Sequence, residues 1–204
     1  TINADTGYGF YLGGGIFTNG ITNAGLINAP GNYGIYIDAD QVQGGINNSG
    51  SISASNTALY FDGELFQGGV TNSGVIESLN NLGLNLVSGE FQGGINNAAT
   101  GTISSLSTGI YVSNDTFTGG ITNAGLIDSP SGYGIYIDNS LFEGGINNTA
   151  TGTITTGVGT DNAIYFSGTT FNGGITNAGL IQTTNTYAVY LSGTSFNGGI
   201  VNSG

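Results

Sequence analysis

Few side chains in this sequence could do chemistry. Its only charged residues are 12 Asp and Glu, and Lys, Arg, His, Cys, Met and Trp are all absent. Without His or Cys there is no Ser–His or Cys–His catalysis, no thiolate metal site and no disulfide framework. Polysaccharide lyases normally recruit Arg, Lys or His, which are also missing. A glycosidase needs only two carboxylates at a suitable separation, and carboxylates are the hard oxygen ligands that suit Ca2+. The best acidic set is Asp38, Asp40, Asp62 and Glu64, in which each of the first two recurs as an acid 24 residues later. No Ca2+-binding nonapeptide repeat of the form GGxGxDxφx (φ apolar) is present, so these residues read first as solvated turns and only second as a Ca2+ site. Asp38 with Asp62 is the best catalytic pair, but nothing interrupts the regularity around it to form a cleft. The expectation is a protein that is not an enzyme and needs no cofactor, Ca2+ being the one ion its side chains would suit.

The formal charge of −12 points the same way. An acidic surface repels phosphate, and with no Lys or Arg there are no cations to release counterions from nucleic acid, so that class of partner is excluded. No apolar run approaches the ~18–20 residues that span a bilayer, so no membrane insertion by this segment is expected. Neutral glycans remain open as partners.

The elements that position these residues come from a repeat that fills all 204 residues. Its signature is Phe-x-Gly-Gly-Ile-x-Asn, as in FQGGINN and FTGGITN. The Ile or Val recurs at Ile21, Ile46, Val70, Ile95, Ile121, Ile146, Ile175 and Ile200, about every 25 residues. Four residues before it stands Phe17, Phe66, Phe91, Phe117, Phe142, Phe171 or Phe196, with Val42 the one exception. Two residues after it stands Asn23, Asn48, Asn72, Asn97, Asn123, Asn148, Asn177 or Asn202. A Gly-x-Ile unit follows, then a Gly/Ala-φ-Tyr-φ unit such as GIYI or ALYF. Short β-branched and aromatic runs bounded by Gly, Asn and Ser are strands between turns. From Tyr to Asn the spacing is constant. Length varies elsewhere, notably at AATGTI and TATGTI and over 155–162, where protruding loops are expected.

Strand parity assigns the faces. In GIYI, Ile35 and Ile37 point one way and Tyr36 the other. Ile21 and Asn23 share a face, so the asparagines should point inward with the Ile and Phe columns. A buried amide is costly unless bonded, and asparagines stacked ~4.8 Å apart can bond one another and the turn backbone. Outside, Tyr11, Tyr36, Tyr60, Tyr111, Tyr136, Tyr165 and Tyr190 form a column in which Asn85 replaces one member. It reads either as a ladder stabilised by stacking or as an aromatic stripe for lateral association or sugar binding. One coil could not stand alone, whereas eight together bury a continuous core.

Phe-x-Gly-Gly-Ile-Thr-Asn-x-Gly-x-Ile at this period resembles the passenger repeats of bacterial autotransporter-type surface proteins and related adhesins. The resemblance implies an all-β, right-handed parallel β-solenoid of eight coils, with three short strands per coil, on the outside of a bacterial cell. It implies no activity.

Residues 1–204 read as one continuous solenoid with no evident capping sequence. Gly198 to Gly204 stop partway through a coil, and Thr1-Ile2-Asn3 is what should follow them. The expectation is a whole number of coils from a stack that continues, either in tandem or by head-to-tail stacking of copies, with lateral association also open. Two roles follow: an extracellular structural filament, or an adhesin stalk that presents its Tyr face or loops to a glycan or host protein.

Overall fold

Each coil of the chain contributes one strand to each of four eight-stranded parallel sheets. In the third coil these strands are Ser51–Ala54, Leu59–Phe61, Leu65–Phe66 and Val70–Asn72. They are termed below the Gly-x-Ile, Tyr, Phe and Asn sheets. Every strand pairs with its counterparts in the coils before and after, as when Tyr60 sits between Tyr36 and Asn85 and Asn72 between Asn48 and Asn97. There is no helix among the described residues. This computed structural model describes residues 1–87, 89–157, 159 and 161–204. The variable segment at 155–162 includes Val158 and Thr160, which lie outside the described residues.

Four strands per coil, where three were expected, is a correction with a local cause. The Phe and the Ile of Phe-x-Gly-Gly-Ile lie on different sheets, because the two glycines between them turn the chain. Gly119 and Gly120 have φ of 98° and 69°, left-handed values that side chains rarely adopt. Space makes the same demand. A Cβ on Gly120 would stand 2.6 Å from the carbonyl oxygen of Gly144 in the next coil. The corner therefore needs glycine for its own backbone and for the close approach of its neighbour.

Inside, parity holds. In the fifth coil Ile103, Ile110, Val112, Phe117 and Ile121 are all buried, five apolar side chains on an axis shared with every other coil. The Phe column stacks ring on ring, Phe91 against Phe117 at 5.1 Å and 2° between planes, and Phe117 against Phe142 at 4.9 Å and 7°. Offset parallel rings at this spacing match the strand repeat, so one residue type can fill one column without strain.

The two-residue insertions leave the ladder intact. At AATGTI the amide of Gly101 donates to the carbonyl of Ala98 at 2.8 Å, closing a turn, and Gly152 does the same to Thr149 in the other copy. Thr100 and Thr151 then donate from their hydroxyls to the carbonyls of Ser73 and Ala124 in the preceding coil. Beyond each turn, Ile103 still pairs with Ile76 and Ile127, and Ile154 with Ile127 and Ile181.

Candidate functional site

Two side-chain columns, one acidic depression and the two end coils are the candidate features. The first column is internal. Each asparagine Nδ2 donates to the Oδ1 of the asparagine one coil on, from Asn23 through Asn48, Asn72, Asn97, Asn123, Asn148 and Asn177 to Asn202, at 2.7–2.9 Å. The same nitrogens lie within reach of two backbone carbonyls. Asn97 Nδ2, for instance, is 3.2 Å from the Gly101 oxygen in its own turn and 3.1 Å from the Leu126 oxygen in the next coil. Where the turn is shorter, the carbonyl captured is two residues on rather than four, as for Asn72 and Gly74. The asparagine therefore caps whatever corner follows it, which is why corners of two lengths coexist in one stack. Its amide supplies an acceptor and two donor hydrogens at once, whereas an ionised Asp has no donor and a Ser hydroxyl has a single hydrogen.

The second column is external. Tyr36, Tyr60, Tyr111, Tyr136 and Tyr165 stand half-buried, with Tyr11 and Tyr190 exposed in the end coils. A further set, Tyr8, Tyr33, Tyr133 and Tyr187, lies three residues earlier in the coil and packs against the first, as in Tyr33–Tyr60 at 5.1 Å and 14°. The sequence reading missed it. Its signal is the Tyr-x-x-Tyr spacing in YGFY, YGIY and YAVY. Neighbouring rings lie face to face or tilted along the axis, Tyr136 on Tyr165 at 4.9 Å and 28°. The rings thus cover part of one another, and those of the inner coils are half-buried. Burial, then the Asp62 carboxylate, pushes the Tyr60 hydroxyl up to about 12. Burial and Asp161 push Tyr133 up to about 12 as well. Tyr36 is raised by burial and by Asp38 and Asp62, and Tyr136 chiefly by burial.

The third feature is acidic. Asp38, Asp40, Asp62 and Glu64 do come together, around a shallow open depression with Ala39, Gly63 and Gly89. Their partners are local: Tyr11 and Tyr60 hydroxyls donate to Asp38 and Asp62 at 3.5 and 3.4 Å, and the Gly15 amide donates to Asp40 at 3.0 Å. Among the described residues, no three His, Cys, Asp or Glu are grouped so as to hold a metal ion.

The end coils expose what every inner coil buries. Ile200 is 57% exposed, whereas Ile175 directly beneath it in the same column is 1% exposed. At that end Ile181, Val189 and Ile200 open an apolar cavity of about 210 Å³. Ile2 is exposed at the opposite end while its column partner Ile27 is buried, and Phe17 is only partly buried.

Comparison with protein-family models, curated proteins and solved structures finds no match for this chain. The resemblance to autotransporter passenger repeats rests on the repeat motif. The parallel β-solenoid itself fits a structural or adhesin-like role.

Proposed function

We propose that the protein is a shaft segment of an extracellular fibre, extended by stacking coil on coil along the solenoid axis. The observation that carries this reading is that all four sheets run parallel and in register from coil to coil, with the Ile and Asn columns repeated along the axis. Ile200 and Asn202 present the column chemistry that Ile21 and Asn23 complete, so a neighbouring set of coils continues every ladder with no new kind of contact. Open strand edges with matched side chains are the ordinary means of β-sheet extension. The neighbour is either a second copy or further coils of the same polypeptide. An acidic surface without Lys or Arg has no tryptic cleavage site, which suits a shaft exposed outside the cell.

A second reading, an adhesin stalk, draws support from the exposed edges of Tyr8, Tyr11, Tyr187 and Tyr190. Their hydroxyls would meet a glycan by hydrogen bonding and their open ring surface by stacking.

Electron microscopy of the purified 204-residue chain tests the first reading. Eight coils at ~4.8 Å give an axial unit of roughly 38 Å. Unbranched fibres built on that unit are expected. Separate rods of one unit at all concentrations would refute self-stacking, and binding to a glycan array by those rods would favour the stalk.

A further inference from the structure

All 11 tyrosines of the chain lie on one face, and they divide into two runs of touching rings. The first run joins Tyr8, Tyr11, Tyr33, Tyr36 and Tyr60 through contacts of 5.0 to 5.7 Å. The second joins Tyr111, Tyr133, Tyr136, Tyr165, Tyr187 and Tyr190 through contacts of 4.9 to 5.5 Å. Between them stands Asn85, paired with Tyr60 on one side and Tyr111 on the other. No ring contact crosses it among the described residues.

Composition gives this arrangement a chemical meaning. With no Trp, Cys, Met or His, tyrosine is the only readily oxidised side chain in the molecule. A one-electron oxidant that reaches this protein finds its electron on this face. Carboxylates are placed to take the proton that must leave with the electron. Tyr11 and Tyr60 donate to Asp38 and Asp62, and burial, then the Asp161 carboxylate, raise the pKa of Tyr133.

We propose that the tyrosine face is a site of oxidative cross-linking, at which neighbouring coils of one chain are joined by dityrosine bonds. The oxidant is hydrogen peroxide acting through a peroxidase. Two phenols each lose one electron and one proton, the proton passing to the adjacent carboxylate and on to water. The peroxide takes up both electrons and both protons and leaves as two waters. The two phenoxyl radicals, already on adjacent rungs, form one bond between ring carbons ortho to the oxygens. Each of those carbons then yields its hydrogen to its own phenoxyl oxygen, which restores both aromatic rings. The product is a covalent staple between coils in a chain that has no cysteine to form one. Rotation about the side-chain bonds of the exposed rings supplies the small change of orientation that coupling needs.

The test treats the dilute 204-residue chain with peroxidase and hydrogen peroxide. Dityrosine is read by fluorescence, and its position by mass spectrometry after cleavage at Asp and Glu. Links are expected between tyrosines of neighbouring coils within a run, with a yield per chain that does not change on dilution. Asn85→Tyr should add links that bridge the two runs. Asp62→Asn should slow coupling in the first run and leave the second unchanged, the second serving as the internal control for folding. Loss of tyrosine without dityrosine would overturn the proposal. So would links that form only between chains with a yield rising with concentration, or that ignore the boundary at Asn85. An unchanged first-run rate in Asp62→Asn would overturn the role of the carboxylate.

Discussion

Replacing Asn97 by Ala tests whether the internal amide ladder holds the coils together. In the fold, Asn97 Oδ1 accepts from Asn72 at 2.9 Å, and its Nδ2 serves Asn123, Gly101 and Leu126 at 2.8, 3.2 and 3.1 Å. The truncation removes all four contacts at a residue with no solvent exposure. The nitrogen has two hydrogens for its three acceptors, so three hydrogen bonds are lost; at a net ~1 kcal/mol each, plus a further 1–3 for buried groups left unmet, the cost is about 4 to 6 kcal/mol. Asn202→Ala deletes one bond at an exposed rung, from Asn177, and should cost about 1 kcal/mol or less. Asn97→Asp sharpens the comparison. Its second oxygen would replace the donor nitrogen among three acceptor oxygens, so the carboxylate can fit only when protonated. The folded-state pKa of that variant then lies above the unfolded value of ~3.9, and its stability falls as pH rises through the folded pKa. The assay is chemical denaturation of the wild type and the three variants at neutral and acid pH. Because an array of repeats can open between coils, circular dichroism and tyrosine fluorescence should be followed together. If Asn97→Ala costs no more than Asn202→Ala, or Asn97→Asp matches the wild type at neutral pH, the ladder is not what couples the coils.

Other perturbations read out other columns. Val42→Phe should complete the ring column between Phe17 and Phe66, giving the second coil the Ile-plus-Phe pair that Ile137 and Phe142 form in the sixth, and raise stability by ~0.5–1.5 kcal/mol; a lower denaturation midpoint would show the slot already filled. Gly120→Ala, at φ 69° and against the Gly144 carbonyl, should cost at least ~2 kcal/mol, whereas Gly159→Ala, whose added Cβ would meet nothing nearer than 3.8 Å, should cost under ~0.5 kcal/mol; equal denaturation midpoints would contradict the corner argument. Stability should fall as pH rises from 10.0 towards about 12, because unfolded tyrosines ionise there while Tyr60 and Tyr133 still hold their protons. Tyr60→Phe should flatten that alkaline slope, and an unchanged slope would mean that Tyr60 titrates alike in both states.

Much of this was legible because a strand repeats every two residues and a coil about every 25. Parity alone placed Ile35 and Ile37 inside and Tyr36 outside, and put Asn48 with Ile46 in the core, as found. Register was legible where spacing never varied, so Phe66 on Phe91 and Asp38 on Asp62 could be aligned by counting. The fourth strand was not. A Gly-Gly pair signals a turn, but whether Phe and Ile lie on one sheet or two depends on φ at those glycines, and composition does not carry φ. The orientation of the tyrosine rings was also hidden. A column of phenols can present faces or edges, and only packing against Tyr8, Tyr33, Tyr133 and Tyr187 decides between them. Likewise, the asparagines announced a ladder, but not that each would cap corners of two different lengths.

The asparagine ladder has a sense as well as a length. Every link from Asn23 to Asn202 is donated towards the higher-numbered coil, so the amide dipoles all point one way and add along the axis. The backbone bonds carry no such sense, since the Ile46 amide donates to Gly69 in the next coil while the Ser49 amide donates to Asn23 in the preceding one; the direction comes from the asparagines. The solenoid is therefore electrically asymmetric, with acceptor oxygens leading at the Asn23 face and donor nitrogens at the Asn202 face. Two like faces brought together would set donor against donor or acceptor against acceptor, whereas unlike faces close the circuit. Any joint made through these columns is thus unidirectional. A fibre assembled from them has chemically distinct growing tips, and a ligand that caps one tip has no purchase on the other.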